Sequence, residues 1–436
     1  MQHAANSETM IRPANVDFPS HAPFAYRSLL FLILIIFIAP MNYIPALAPL
    51  RLALVFALFS IVAYVFSSVG QAGGLSVLSA EVKLILWLVF FALISIPQSK
   101  WPGGSFDMLI DIFLKSVIVF FLIANLLTTS ERFRTLFWAL AICAAFNAVV
   151  GIYNYRTGAF LTGERIQGGF SGLTSNPNDL ALSLDLMIPF IWYLFLSAKS
   201  AIQKLMTACT LCVSMTSIVL TSSRGGAITF VGMFLWYLWQ RPGKSRATVL
   251  VWASLLIGVV LVAAPEGYSE RMMSSFDFSK DKSGSADIRW EMTKAGVRQT
   301  FEHPQGIGLG MNNLLNHEEG MHWDAGVHNV YLQISTELGL IPGVLFIALL
   351  WKLIANTGRI RSVAVSDETD VNLFAQAIGC SLMGFAIAGL FFPVAYHFHF
   401  YILAGMAVAL KQMADRMAET HIESNVGHHR FYRVMG

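Results

Sequence analysis

A succession of long apolar stretches governs what this chain can fold into. Stretches of roughly 17 to 25 residues, the length a helix needs to cross a bilayer, recur along it. They lie near 28–47, 50–70, 82–97, 109–128, 133–153, 178–198, 203–221, 225–240, 247–264, 340–357, 372–392 and 395–412. By length this makes about twelve spans, the third and eighth being short. Only 13% of the residues are charged, roughly half the share of a soluble domain. The fold class expected is an all-α polytopic membrane protein, because only helices and closed barrels satisfy their backbone in lipid. A net charge of +3 with no basic stripe argues against nucleic acid as a partner.

The placement of lysine and arginine sets the orientation. Alternate connections carry Lys83, then Arg132 and Arg134, then Lys199 and Lys204, then Arg241, Lys244 and Arg246. The series continues with Lys352, Arg359 and Arg361, and ends with Lys411 and Arg416. The opposite connections hold Lys100 with Asp107, and the isolated Arg224. Both termini are therefore expected in the cytoplasm. Residues 1–27 read as a polar cytoplasmic tail rather than a secretory signal, and 413–436 as a second cytoplasmic tail. Spans one to nine occupy 28–264, and spans ten to twelve occupy 340–412. Two longer connections lie outside, 154–177 and the large loop 265–339 between spans nine and ten. Cys143, Cys209, Cys212 and Cys380 all fall in apolar runs. With no second cysteine pair to accompany the i, i+3 spacing of Cys209 and Cys212, helix packing explains them better than a disulfide framework or zinc.

The exterior connections hold the residues suited to chemistry. Arg165 stands between Gly163 and Gly168, where a backbone can approach a ligand closely. Asn176-Pro177-Asn178-Asp179 is a helix start. Arg224 sits between two spans on the side where positive charge is disfavoured, next to the free N–H groups of a helix start; it suits a phosphate, or it snorkels to lipid. Asp185, about two turns below Asn178, is an intramembrane acid expected to pair with Arg224.

In the large loop, Ile288, Met292, Ala295 and Phe301 form an apolar stripe, with Arg289, Glu291, Lys294 and Arg298 off it. This predicts an amphipathic helix lying at the membrane interface, ended by Pro304. Gly306-Ile307-Gly308-Leu309-Gly310 lacks the strand and acidic partner of a dinucleotide site, so it reads as a tight turn beneath the functional site. His317, Glu318, Glu319, His322 and Asp324 show no metal-ligand spacing and read as a solvated acidic loop. His328 opens a short helix through Asn329, Val330, Leu332 and Ile334 that closes at Glu337-Leu338-Gly339. His397 and His399, at the exterior start of the last span, read as interfacial aromatic-belt residues, with one of them a further candidate for lining the cavity.

Together these motifs resemble the O-antigen ligase and polymerase superfamily of bacterial envelope glycosyltransferases. The resemblance rests on Arg165-Ile166-Gln167-Gly168, Asn176-Pro177-Asn178, Ser223-Arg224-Gly225, and Arg289-Trp290 leading to the glycine turn. It ends on His328-Asn329-Val330-Tyr331-Leu332 and Glu337-Leu338-Gly339-Leu340-Ile341-Pro342-Gly343, and covers about residues 155–360. It implies an inverting inner-membrane enzyme with its site facing the periplasm. The donor would be an undecaprenyl-diphosphate-linked glycan and the acceptor a hydroxyl, with no metal, nucleotide or other cofactor. By the same resemblance Arg224 and Arg289, with Arg165 across the cleft, would hold the diphosphate, and His328 would be the base. Asn176, Asn178, Asp185, Asn329 and Glu337 would support them. The histidine-led helix resembles the ligase branch more closely, which implies lipid A–core as acceptor in lipopolysaccharide biosynthesis. The alternatives are an O-antigen or exopolysaccharide polymerase on the same scaffold, and a multi-pass anion transporter. The transporter fits less well, because no inverted repeat is visible and the polar groups gather on one face.

Overall fold

A computed structural model of the chain describes residues 22–68, 78–160, 165–169, 172–240, 285–312, 326–363 and 370–434, with isolated positions between 247 and 258. The chain runs through α1 (Pro23–Ile38), α2 (Leu52–Ser68), α3 (Ala80–Gln98), α4 (Pro102–Met108), α5 (Leu114–Leu126), α6 (Ser130–Thr157), α7 (Pro177–Leu196), α8 (Ala201–Leu220) and α9 (Arg224–Trp239). It continues with α10 (Ser285–Glu302), α11 (Val330–Glu337), α12 (Leu340–Val363), α13 (Asp370–Ala388) and α14 (Phe398–Val434). A π turn over Leu109–Phe113 joins α4 to α5 as one apolar rod. Among the described residues there are 8 helices long and apolar enough to cross a membrane, and α1, at 16 residues, falls short of that length. Eight of the expected spans fall on these helices, whereas the first and eighth fall on the 16-residue α1 and α9 and the twelfth on the start of α14, which are not among them. The ninth, 247–264, lies almost wholly outside the described residues, as do Arg241, Lys244, Arg246 and residues 1–21.

Local chemistry starts these helices where the chain turns. Ser79, Thr129, Asn176, Ser200, Ser223 and Asn329 each accept a hydrogen bond from a first-turn N–H, leaving fewer orphan donors at the helix end. Helices α7 and α13 form the centre, mostly buried, while α2 lies at the periphery with little of it buried. Helix α13 packs on α7, α9, α12 and α14, and α7 packs on α6 and α8. Phe133, Phe137, Phe190 and Phe374 interlock between α6, α7 and α13, with the Phe137 and Phe190 centroids 4.6 Å apart.

Polar residues at the helix ends separate into two groups. One ties together connections rich in lysine and arginine. The buried Glu81 carboxylate at the start of α3 accepts from Asn356 Nδ2 at 2.8 Å on α12. Lys411 Nζ on α14 lies 3.5 Å from the same oxygen, and Lys352 Nζ 3.8 Å. Arg134 pairs with Asp370, and Arg361 donates to the Gln240 carbonyl at 3.0 Å. The other group sits at the starts of α7, α9 and α11 and around the glycine turn.

Glu81→Ala leaves two lysines and Asn356 without their shared acceptor. Because the lysines are partly exposed, a loss of roughly 1–3 kcal/mol is expected, less than for a fully buried pair. Thermal unfolding of the detergent-solubilised chain measures it, with Glu81→Gln, which keeps the Asn356 contact, falling between the two.

Candidate functional site

The first half of the site forms where α7 and α9 begin. Asn176 Oδ1 accepts from Asn178 N–H (2.9 Å) and Asp179 N–H (3.0 Å), fixing the first turn of α7. Asn178 Oδ1 then accepts from Arg165 Nη2 (2.8 Å) and from Ser223 Oγ (2.9 Å). Arg165 Nε donates to the Thr221 carbonyl at 3.0 Å, just before α9. Ser223 caps α9, accepting from Gly226 N–H at 3.2 Å, which sets Arg224 as the first helical residue. Gly226 is required here, since a Cβ would stand 2.7 Å from Ala181 on α7. The sequence-predicted residues Arg165, Asn176, Asn178 and Arg224 are thus brought together, and three of them are knitted into one hydrogen-bonded unit.

The second half is built on α11. Asn329 caps it, accepting from Tyr331 N–H (2.9 Å) and Leu332 N–H (3.0 Å). At its other end the glycine turn wraps the last residues. Ile307 N–H donates to Thr336 O and Gly308 N–H to Glu337 O, both at 3.0 Å. Gly310 N–H meets Glu337 Oε2 at 2.9 Å, and Asn312 Nδ2 donates to Oε1. Burial pushes the Glu337 carboxyl up to about 7, while these N–H donors favour its charged form. Gly306 and Gly308 have φ of 90° and 108°, which side-chain-bearing residues rarely adopt. The expected tight turn is therefore present, and it grips α11 through backbone contacts.

His328 stands just before the Asn329 cap, half-buried. Its Nδ1 lies 2.8 Å from the Gly326 carbonyl, which can only accept, so Nδ1 carries the proton and Nε2 keeps its lone pair. Burial, and next the charge of Arg289, hold its pKa below the ordinary value, so the ring is neutral at pH 7. Arg289 comes from α10, which packs on α11 with Gly296 against Val327 and Leu332. The two halves meet on the turn after α13. Val330 N–H donates to Gly389 O at 2.7 Å, and a Cβ on Gly225 would stand 3.0 Å from Phe392.

Three expectations are corrected, the first in part. Of the expected α10 stripe, Met292 and Ala295 are buried together with Gln299 and Thr300, while Ile288 and Phe301 are exposed, Phe301 at 72%. Gly296 lets the helix approach α11 closely, and Ile288 and Phe301 turn outward with Trp290. Asp185 is fully buried but neither of its oxygens has a hydrogen-bond partner, so it does not pair with Arg224. It lies behind the start of α9, its Oδ2 3.5 Å from the place a Cβ of Gly226 would take. His399 is not an interfacial residue: it is buried, with Nε2 2.8 Å from Ser183 Oγ and its ring edge-on to Phe37.

Asn312 was not singled out by sequence, and nothing in its surroundings there distinguishes it from an ordinary loop asparagine. Among the described residues no group of three histidine, cysteine or carboxylate side chains is placed to hold a metal. His317, Glu318, Glu319, His322 and Asp324 lie outside the described residues.

Residues 207–347 match the family model described as O-antigen ligase (Wzy_C). That segment runs from α8 into α12 and takes in Arg224, Arg289, the glycine turn, His328 and Glu337. No curated protein matches the chain.

The grip of the glycine turn is testable by one methyl group. In Gly306→Ala the new Cβ would stand 2.6 Å from Glu337 O at a positive φ. A destabilisation of at least about 1–2 kcal/mol is expected, read as a lower unfolding temperature or faster proteolysis between α10 and α12.

Proposed function

We propose, from the match of residues 207–347 to the O-antigen ligase family model, that the chain is a multi-pass inner-membrane glycosyltransferase working at the periplasmic face. Its donor is an undecaprenyl-diphosphate-linked glycan, and it acts as the ligase that joins O-antigen to lipid A–core. The observation that carries this reading is the state of His328, neutral and with Nδ1 engaged, so that Nε2 is available as a base.

The acceptor hydroxyl oxygen attacks the anomeric carbon from the side opposite the diphosphate. Its proton passes to His328 Nε2 as the new C–O bond forms. The bond to the diphosphate breaks, its electron pair staying on the phosphate oxygen, and the anomeric configuration inverts. The leaving group is already a stable anion, so it needs cations more than a proton donor. Arg224, at the positive end of α9, and Arg289, beside His328, supply planar donors matched to phosphate oxygens. Arg165 adds to the positive field while its Nε and Nη2 hold Thr221 and Asn178. Asn176, Asn178 and Asn329 keep the helix starts in register. The segregation of lysine- and arginine-rich connections from this face supports a periplasmic site with both termini cytoplasmic.

His328→Ala and His328→Gln are expected to lower transfer by roughly 10²–10⁴-fold without loss of folded protein. The wild-type rate should fall as pH drops through the His328 pKa, which lies below the ordinary 6.5, because protonation removes the base. Burial of the neutral ring likewise contributes stability above that ordinary value, lost as pH falls. Deleting the gene and resolving the host's surface glycans on a gel separates the activities. Lipid-linked polymer that no longer reaches the core indicates a ligase, and single repeats on the core indicate a polymerase. Unchanged glycans, or full complementation by His328→Ala, would overturn the enzyme reading.

A further inference from the structure

Asn312 occupies the middle of a hydrogen-bonded chain that begins at Glu337 and ends at His328. Asn312 is buried at 5% exposure and Glu337 at 0%. The amide of Asn312 has a forced orientation: Val327 N–H can only donate, so Oδ1 faces it at 3.1 Å, and Nδ2 is left to donate to Glu337 Oε1. The Val327 N–H and the Gly326 C=O belong to the same planar peptide group. One edge of that group is held by Asn312, and the other accepts the Nδ1 proton of His328. Any rotation of this peptide would therefore move the acceptor away from the imidazole.

We infer that Glu337 and Asn312 form a positioning relay, acting through the Gly326–Val327 peptide, that fixes the tautomer and basicity of His328. The inference rests on the role given to His328 above. Each link is polarised in the direction that helps the next. The carboxylate draws on the Asn312 NH₂ and enriches Oδ1, which draws on Val327 N–H and enriches the Gly326 carbonyl. A more electron-rich carbonyl holds Nδ1–H more firmly and makes Nε2 a stronger base, as carboxylates that accept the ring N–H do for metal-bound histidines. Arg289, on α10, opposes protonation of the ring, and the relay delivers the counteracting negative polarisation from the other side. Tyr396, preceding α14, and the backbone N–H groups of Gly310 and Asn312 also face Glu337. The glycine turn then has two tasks, gripping α11 and bringing Asn312 to the peptide.

The test follows His328 in the full chain, labelled with ¹⁵N-histidine in lipid nanodiscs, its signals identified by their loss in His328→Gln. The wild-type ring is expected to be the Nδ1–H tautomer. Asn312→Ala and Glu337→Gln are expected to give a mixed tautomer of the neutral ring above pH 7, where Glu337 is ionised. In parallel, kcat above pH 7, where Glu337 is ionised, should drop about tenfold with KM for the lipid-linked donor unchanged. The double variant Asn312→Asp with Glu337→Gln restores every bond. The new glutamine donates to the new aspartate and accepts from Gly310, and the aspartate accepts from Val327. It should recover both the tautomer and kcat. Single variants that elute as folded protein yet keep the wild-type tautomer and kcat would overturn the relay, as would a double variant no better than the worse single one. A ring that responds as expected in a protein whose wild type transfers no glycan would support the relay and overturn the function proposed above.

Discussion

Hydrocarbon offers no hydrogen-bond partners, so every backbone N–H and C=O within it must be satisfied inside its own helix. The first turn of a helix is where this fails, because its N–H groups have no earlier carbonyl to meet. Polar chemistry in this chain therefore collects at helix starts. Asn176, Ser223 and Asn329 each satisfy part of that deficit for α7, α9 and α11. The same three starts carry or adjoin Asn178, Arg224 and His328. Capping groups and candidate reactive groups share one location because both are excluded from the apolar layer. The helix starts also lend a positive potential to that location, which suits a phosphate-bearing ligand.

Rigid placement comes from a second device, the clasp between the glycine turn and the end of α11. Gly306 and Gly339 approach the opposing backbone too closely for any Cβ, at 2.6 and 2.8 Å respectively. Ser105 Oγ donates to Leu309 O at 2.7 Å, and Leu309 N–H reaches Ser95 Oγ at 3.2 Å, which fastens the clasp to α3 and α4. A short helix of eight residues has little stability of its own. It is ordered by these contacts, and the His328 ring is ordered with it.

Much of this was legible residue by residue. Asn176-Pro177-Asn178 and Ser223-Arg224-Gly225 declare helix starts through capping chemistry that depends only on near neighbours. Gly306, Gly308 and Gly339 announce unusual backbone, and Glu337-Leu338-Gly339 a helix end. The burial of α10 was legible only for Met292 and Ala295, because an apolar periodicity identifies a stripe without saying whether protein or lipid covers it. Ile288, Trp290 and Phe301 face outward, and Gly296 with Gln299 faces α11. In a membrane protein small residues pack helix against helix, so hydropathy alone points the wrong way. Asp185 and His399 misled for a related reason: their partners, or lack of them, come from helices distant in sequence.

By itself the sequence determined the helical class, the positions of the apolar spans, their alternation in charge and the capped starts. All of these follow from interactions within a few residues or from transfer between water and lipid. The tertiary structure alone decided that Asn178 joins Arg165 to Ser223, that Gly389 and Phe392 bring α9 and α11 to one wall, and that Asn312 links Glu337 to the peptide beside His328. Those pairings span up to about 170 residues of chain, from Gly225 to Phe392. No local rule fixes them, because they depend on which helix faces come into contact when the bundle closes.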